Sequence, residues 1–113
     1  MLPTGGRGKS SVVRFLRNGF SEEKRLHHFL MHKDEFDVTS VADYERLAIE
    51  FRNRRREIGI ESFISERGST YMYEAATNTF LIHKSDGLIV TFFKPDNGVQ
   101  YWNEQKEMYD IRG

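Results

Sequence analysis

The chain has 113 residues, the size of one domain. Its 17 Lys and Arg balance 17 Asp and Glu, so it is formally neutral. A hydrophobic share of 38% and a charged share of 30% indicate a polar but foldable globule and exclude a disordered segment. The lack of cysteine excludes disulfides and zinc-thiolate sites, and no apolar run approaches the roughly 20 residues that a membrane span needs. Neutrality argues against a strongly basic nucleic-acid binder, although residues 1–33 carry seven Lys and Arg against two acidic residues.

The first 20 residues are polar, Gly-rich and basic, and we expect a flexible or short helical arm there, followed by one domain over residues 21–113. The arm contains the letters GKS. A phosphate-binding P-loop, however, needs a glycine where Pro3 stands and a buried strand before it. The motif therefore does not indicate nucleotide binding.

The first predicted helix follows Ser21, a suitable N-cap, and the two glutamates after it suit the positive end of a helix. Its periodicity extends to about Lys33. Its apolar stripe, which we expect to face the core, consists of Leu26, Phe29 and Leu30.

The second predicted helix has Thr39 or Ser40 as its cap. Its apolar face consists of Val41, Tyr44, Leu47, Ala48 and Phe51. The arginine-rich segment RNRRRE follows, and it is either a solvated helix end, where positive charge suits the dipole, or an RNA contact.

After Gly59 the segments TYMYEA, TFLIHK and LIVTFFKP have the composition of strands, and the short turns ATN and SDG separate them. Such turns join neighbouring antiparallel strands. The predicted fold class is therefore α+β, with the N-terminal helices packed on one face of a small antiparallel meander. We expect the other face to be open and to border a site.

Three of the four histidines lie in the first helix, where His28 and His32 share one face because they are four residues apart. A metal site would need a third ligand from Glu35, Asp37 or His83, and Phe29 stands where a metalloprotease motif has glutamate. The alternatives are ordinary border and surface histidines, or acid/base catalysts.

RNA cleavage without a metal needs a base for the 2′-hydroxyl, an acid for the 5′-oxygen, and donors around the phosphate. Histidine suits both proton transfers because its ordinary pKa lies near neutrality. The side chains that offer positive charge are Lys33, Arg67, Lys84 and Lys94. Neutral donors come from Ser69, Thr70, Thr91 and Tyr101.

Thr91 interrupts the apolar run LIVTFFK. Strand alternation predicts that it shares a face with Ile89 and Phe93, so that this face carries either a site or an ordinary half-exposed threonine. Four aromatic residues either stack on bases or belong to the core: Tyr71, Tyr73, Tyr101 and Trp102.

The segments KRLHHFLMHKDEFDVTSVADYERLAIEF and YMYEAATNTFLIHKSDGLIVTFFKPDNGVQYW resemble the C-terminal toxin domains of bacterial polymorphic and contact-dependent inhibition systems and related phage nucleases. This broad group takes in barnase, EndoU, colicin D and RelE. The matching features, spread over Lys24 to Gln105, are His28, His32 and Glu35-Phe36, the Tyr44–Phe51 helix, Thr77-Asn78, the Gly87–Phe93 strand with Thr91, and Tyr101-Trp102.

The resemblance implies a barnase/EndoU/colicin/RelE-like fold and a metal-independent ribonuclease without a cofactor, often one that cuts tRNA. It also implies an inhibitory immunity protein, delivery as part of a larger protein, and action in the cytoplasm of a target cell. His28 and His32 would be the acid/base pair, and Thr91 and Tyr101 would contact phosphate or orient a histidine.

The expected substrate-binding residues are Lys33, Arg67, Thr70, Lys84, Lys94 and Trp102. Two alternatives stay open: a non-catalytic module that binds RNA or a protein, and a metal-dependent hydrolase that uses the pair of histidines.

Overall fold

A computed structural model describes residues 19–111. Their elements in chain order are α1 (Glu22–Phe36), α2 (Val41–Arg52), β1 (Ile60–Ile64), β2 (Thr70–Glu74), β3 (Thr79–His83), β4 (Ile89–Phe93) and α3 (Val99–Tyr109). The predicted α+β class, with two helices before an antiparallel meander, is confirmed. Two elements, β1 and α3, were not assigned individually from the sequence.

The two N-terminal helices begin where the sequence predicts. The Ser40 side chain accepts a hydrogen bond from the Asp43 backbone N–H at 3.0 Å, whereas Ser21 makes no side-chain cap. The first helix continues one turn past the predicted end at Lys33 and stops at Asp37, which has a positive φ of 57°. This extra turn carries Glu35.

The strands form one sheet in the order β1-β2-β3-β4, and each neighbouring pair is antiparallel. The register between β3 and β4 shifts: Thr91 lies opposite Ile82, but Ile89 lies opposite His83. The bulge therefore puts Thr91 and Ile89 on opposite faces of the sheet. The predicted shared face for these two residues is wrong because strict alternation does not hold across a bulge.

Both faces of the sheet are covered. Helices α1 and α2 bury one face, in a core that includes Tyr44, Met72 and Phe92. Helix α3 packs on the other face, where Trp102 contacts Phe63, Tyr73 and Phe80. The expectation of an open face is wrong, since the segment after β4 forms a helix with an aromatic inner side.

Helix α1 lies along β4, the edge strand, and this position decides which of its side chains are buried. Phe29 is in the core, but Leu26 and Leu30 are 55% and 59% exposed, so the predicted apolar stripe is only partly correct. The chain just before the helix joins the fold too: Phe20 is buried, and Gly19 accepts a hydrogen bond from the Ile89 N–H at 2.6 Å.

The structure describes only Gly19 and Phe20 of the predicted arm over residues 1–20, and the rest of the arm lies outside the described residues. No helix within residues 19–111 has both the length and the apolar character needed to cross a bilayer.

Candidate functional site

The two predicted catalytic histidines, His28 and His32, belong to a column of stacked rings along the edge of the sheet. The ring of Phe20 stacks on His28 at 5.0 Å, His28 on His32 at 6.1 Å, and His32 on Phe93 at 5.4 Å between ring centroids. The i,i+4 spacing places the two histidines on one face of α1, as predicted. The column joins α1 to the end of β4.

Glu35 holds His32 in a defined orientation. Its carboxylate contacts His32 Nδ1 at 2.8 Å through one oxygen and accepts the Lys94 backbone N–H at 2.8 Å through the other. With the proton on Nδ1, His32 donates to the carboxylate, and Nε2 has a free lone pair that can accept a proton. The arrangement is a histidine-carboxylate dyad anchored to β4.

The sequence pointed to Glu35 as a possible third metal ligand and as part of the resemblance to toxin domains, but not to this role. The signal was present, because a carboxylate three residues after a histidine lies on the same side of a helix. Phe20 was also missed as part of the site, since its proximity depends on tertiary packing, whereas Phe93 was placed with Thr91 on the possible site face.

His28 differs from His32 in its environment. Its Nδ1 is buried and has no hydrogen-bond partner among residues 19–111. Burial, together with the nearby charges of His32, His27 and Lys24, lowers the pKa of His28 from 6.5 to about 4. His28 is therefore neutral at pH 7, and this does not suit the predicted role of one histidine as a protonated acid.

Tyr101 lies at the same edge of the sheet as His32. Its ring meets Phe93 at 5.6 Å and Phe80 at 5.0 Å, both edge-to-face. Burial raises the pKa of the Tyr101 hydroxyl, which keeps it a proton donor at neutral pH. Thr91 is half-buried and two residues before Phe93 on β4, on the same side of the sheet.

The two predicted lysines near this edge have different surroundings. Lys94 Nζ donates to the Thr77 carbonyl at 2.7 Å and to Thr79 Oγ1 at 2.9 Å, and burial lowers its pKa. This amine is occupied by the protein. Lys33 lies near the C-terminal end of α1, where its only ion pair within the described chain is with exposed Asp34 at 3.3 Å.

Four predicted substrate-binding residues are not brought to the histidines. Thr70 pairs with His83 at the opposite end of the sheet from Phe93, and Arg67 and Lys84 lie in the turns at that end. Trp102 is 1% exposed and donates from Nε1 to Glu61 at 3.1 Å, so its ring is a core element that cannot stack on a base.

Within residues 19–111, no three His, Asp or Glu side chains come together in a group that could hold a metal ion. The neighbours of His28 and His32 are the Glu35 carboxylate and aromatic rings.

No family model matches this chain, and no curated protein is significantly similar to it.

Proposed function

We propose that this protein is a ribonuclease that cleaves RNA by general acid/base catalysis without a metal, with His32 as the base. The observation that carries the proposal is the dyad of His32 and Glu35, in which the carboxylate at 2.8 Å fixes the ring and leaves Nε2 available. A carboxylate in this position also stabilises the imidazolium that forms when the base takes a proton.

In the proposed reaction His32 Nε2 removes the proton of a 2′-hydroxyl, and the 2′-oxygen attacks the adjacent phosphorus. The bond between phosphorus and the 5′-oxygen breaks, which produces a 2′,3′-cyclic phosphate. The departing oxygen takes a proton from Tyr101, and the proton gained by His32 returns to Tyr101 through solvent. The position of Tyr101 supports this assignment, because its ring contacts Phe93, which stacks on His32.

His28 has a positioning role in this proposal. It is neutral at pH 7 and stacks between Phe20 and His32, so it supports the ring of the base without exchanging a proton with substrate. Lys33 provides positive charge next to His32, and the basic residues within positions 1–33 offer further phosphate contacts.

The resemblance to toxin domains extends the proposal to biology: the substrate is tRNA or another structured RNA, and a cognate immunity protein blocks the activity. Delivery as part of a larger protein into the cytoplasm of a target cell belongs to the same proposal. Exposed Leu26, Leu30 and Met31 on α1 give an inhibitor apolar surface on the helix that carries the dyad.

The test is incubation of purified protein with total bacterial RNA in EDTA, followed by a denaturing gel. We expect His32→Ala to slow cleavage by about 100-fold or more and Glu35→Gln by about tenfold or more. His27→Ala is the matched control, because this exposed histidine on the same helix is outside the dyad. Equal cleavage by all four proteins would refute the assignment of the base.

A second function has one observation in its favour. The His32 side chain is only 15% exposed, and the four-ring column is packed like a structural core. A non-catalytic module that binds RNA or a protein would also contain such a column. If the protein is a non-catalytic module that binds RNA, the wild type binds RNA in EDTA and leaves it intact, even when divalent metal or cytosolic extract is added.

A further inference from the structure

A cavity of about 520 Å³ lies at the opposite end of the sheet from His32, between the β1–β2 turn and the end of α3. Its volume falls within the roughly 300–1,000 Å³ range of small-molecule sites. The turn contributes Ser65, Arg67 and Ser69, and Tyr71 and Tyr109 form an aromatic wall. None of these residues belongs to the dyad or to its contacts.

Arg67 is the positively charged group of this cavity. It is exposed, and no carboxylate within residues 19–111 lies at ion-pair distance from it, whereas Arg25, Arg46 and Arg54 all pair with glutamates. A guanidinium has five donors in a planar fork that matches phosphate oxygens. Arg67 is therefore available for an anion.

The serine hydroxyls beside Arg67 add neutral donors. Ser65 Oγ accepts the Ser69 backbone N–H at 3.3 Å, and this bond does not use the Ser65 hydroxyl hydrogen, which can be donated to a ligand. Burial raises the pKa of Tyr71, which keeps its hydroxyl a donor as well. Glu66 also lines the cavity, and its negative charge favours an anion with a single phosphate over a polyphosphate.

The aromatic wall provides a surface for a planar ring. Tyr71 and Tyr109 are stacked with centroids 5.5 Å apart and planes 29° apart, and Tyr109 is 42% exposed. Bases stack on exposed aromatic rings with little regard to sequence. A cationic fork, hydroxyl donors and a stacking surface thus occur in one cavity.

We propose that this cavity binds one nucleotide unit, with its single phosphate on Arg67 and its base against Tyr109. The ligand is either a free mononucleotide or one nucleotide of an RNA strand. The RNA version rests on the proposed ribonuclease function, and it would make the cavity a substrate-binding site remote from the cleaved bond.

Helix α3 connects the cavity to the dyad. Tyr101 near its start contacts Phe93, which stacks on His32, and Tyr109 at its end contacts Tyr71. Eight residues of helix rise by about 12 Å, so an RNA strand of a few nucleotides is long enough to follow α3 between the two sites.

Binding is measured by calorimetry with 5′-AMP, adenosine, inorganic phosphate and a short 2′-O-methyl RNA, which cannot be cleaved. The variants are Arg67→Gln and Tyr109→Ala. The matched control is Arg46→Gln, which removes the same charge from an exposed arginine on α2. Circular dichroism spectra of the variants verify that each is folded.

We expect Arg67→Gln to weaken binding of 5′-AMP or of the RNA at least tenfold and Tyr109→Ala to weaken it severalfold, with binding by Arg46→Gln unchanged. If the two cavity substitutions weaken binding of 5′-AMP, with or without weaker RNA binding, the cavity is a mononucleotide site. If they weaken binding of RNA alone, the cavity is a substrate-binding site. Equal binding by all variants, no binding of any probe, or adenosine binding as tightly as 5′-AMP would overturn the proposal.

The same proteins are assayed for cleavage of RNA in EDTA, so that the two proposals fail separately. Binding that depends on Arg67 without any cleavage supports the nucleotide site and refutes the ribonuclease. Cleavage with an unchanged KM in Arg67→Gln and Tyr109→Ala, together with unchanged binding, supports the ribonuclease and refutes the nucleotide site.

Discussion

The clearest physical consequence of the ring column is a loss of stability in mild acid that depends on His28. The unfolded chain binds a proton at this position near pH 6.5, whereas the folded protein binds it only near pH 4. Between these values the unfolded state holds more protons, so the free energy of unfolding decreases as the pH falls from about 6.5 towards 4. Below the folded pKa both states are protonated and this loss stops.

The full difference between the pKa values of 6.5 and about 4 corresponds to about 3.5 kcal/mol, at about 1.4 kcal/mol for each tenfold change in proton affinity. Because His28 is partly exposed, solvent reduces this, and we expect about 2 kcal/mol. His28→Phe removes the titrating group and retains a ring between Phe20 and His32.

The assay is urea unfolding at about pH 7.5 and about pH 4.5. The wild type should lose about 2 kcal/mol more than His28→Phe between these values. His27→Ala removes only a smaller cause of the lowered pKa, so it should behave more like the wild type than like His28→Phe. At the higher pH, His28→Phe should be at least as stable, since the unpartnered Nδ1 is gone. The same pH dependence in wild type and His28→Phe would refute a buried neutral His28.

Four further substitutions test the helix caps and the packing. Ser40→Ala should cost about 1 kcal/mol in urea unfolding and Ser21→Ala close to nothing, because only Ser40 caps its helix through the side chain; equal costs would contradict the assigned caps. Tyr44→Phe should cost about 1–3 kcal/mol in the same assay, since it leaves the buried Phe92 carbonyl without its donor, and a neutral change would argue against that hydrogen bond. Trp102→Ala should cost about 3–5 kcal/mol and lower the melting temperature sharply, whereas an exposed, base-stacking tryptophan would tolerate the change.

Most of the framework was predictable because local signals agreed with the fold. The spacing of Tyr44, Ala48 and Phe51 predicts the buried face of α2, and all three are buried. The strands β2, β3 and β4 fall within the predicted segments, and their turns have the lengths typical of a meander. These features depend on residues close together in sequence.

The failures have tertiary causes. Leu26 and Leu30 are apolar at helical spacing, but α1 lies along the edge of the sheet and directs them to solvent. The bulge that separates Ile89 from Thr91 depends on pairing with β3. Trp102 was ambiguous because nothing in its own segment shows that α3 covers the second face of the sheet.

The candidate site was predictable only in part, for the same reason. Periodicity placed His28 and His32 together, but their difference in pKa comes from burial and from the unequal partners that surround them. Arg67 was grouped with the histidines by residue type, and the strand order places it at the other end of the sheet.

We propose His32 as the base in RNA cleavage. The most direct measurement is the end group of the RNA fragments that wild type and His32→Ala produce from a defined RNA in EDTA. We expect fragments with 2′,3′-cyclic phosphate ends from the wild type and intact RNA from His32→Ala. Intact RNA with both proteins, or the same fragments from both, would contradict the assignment of His32 as the base.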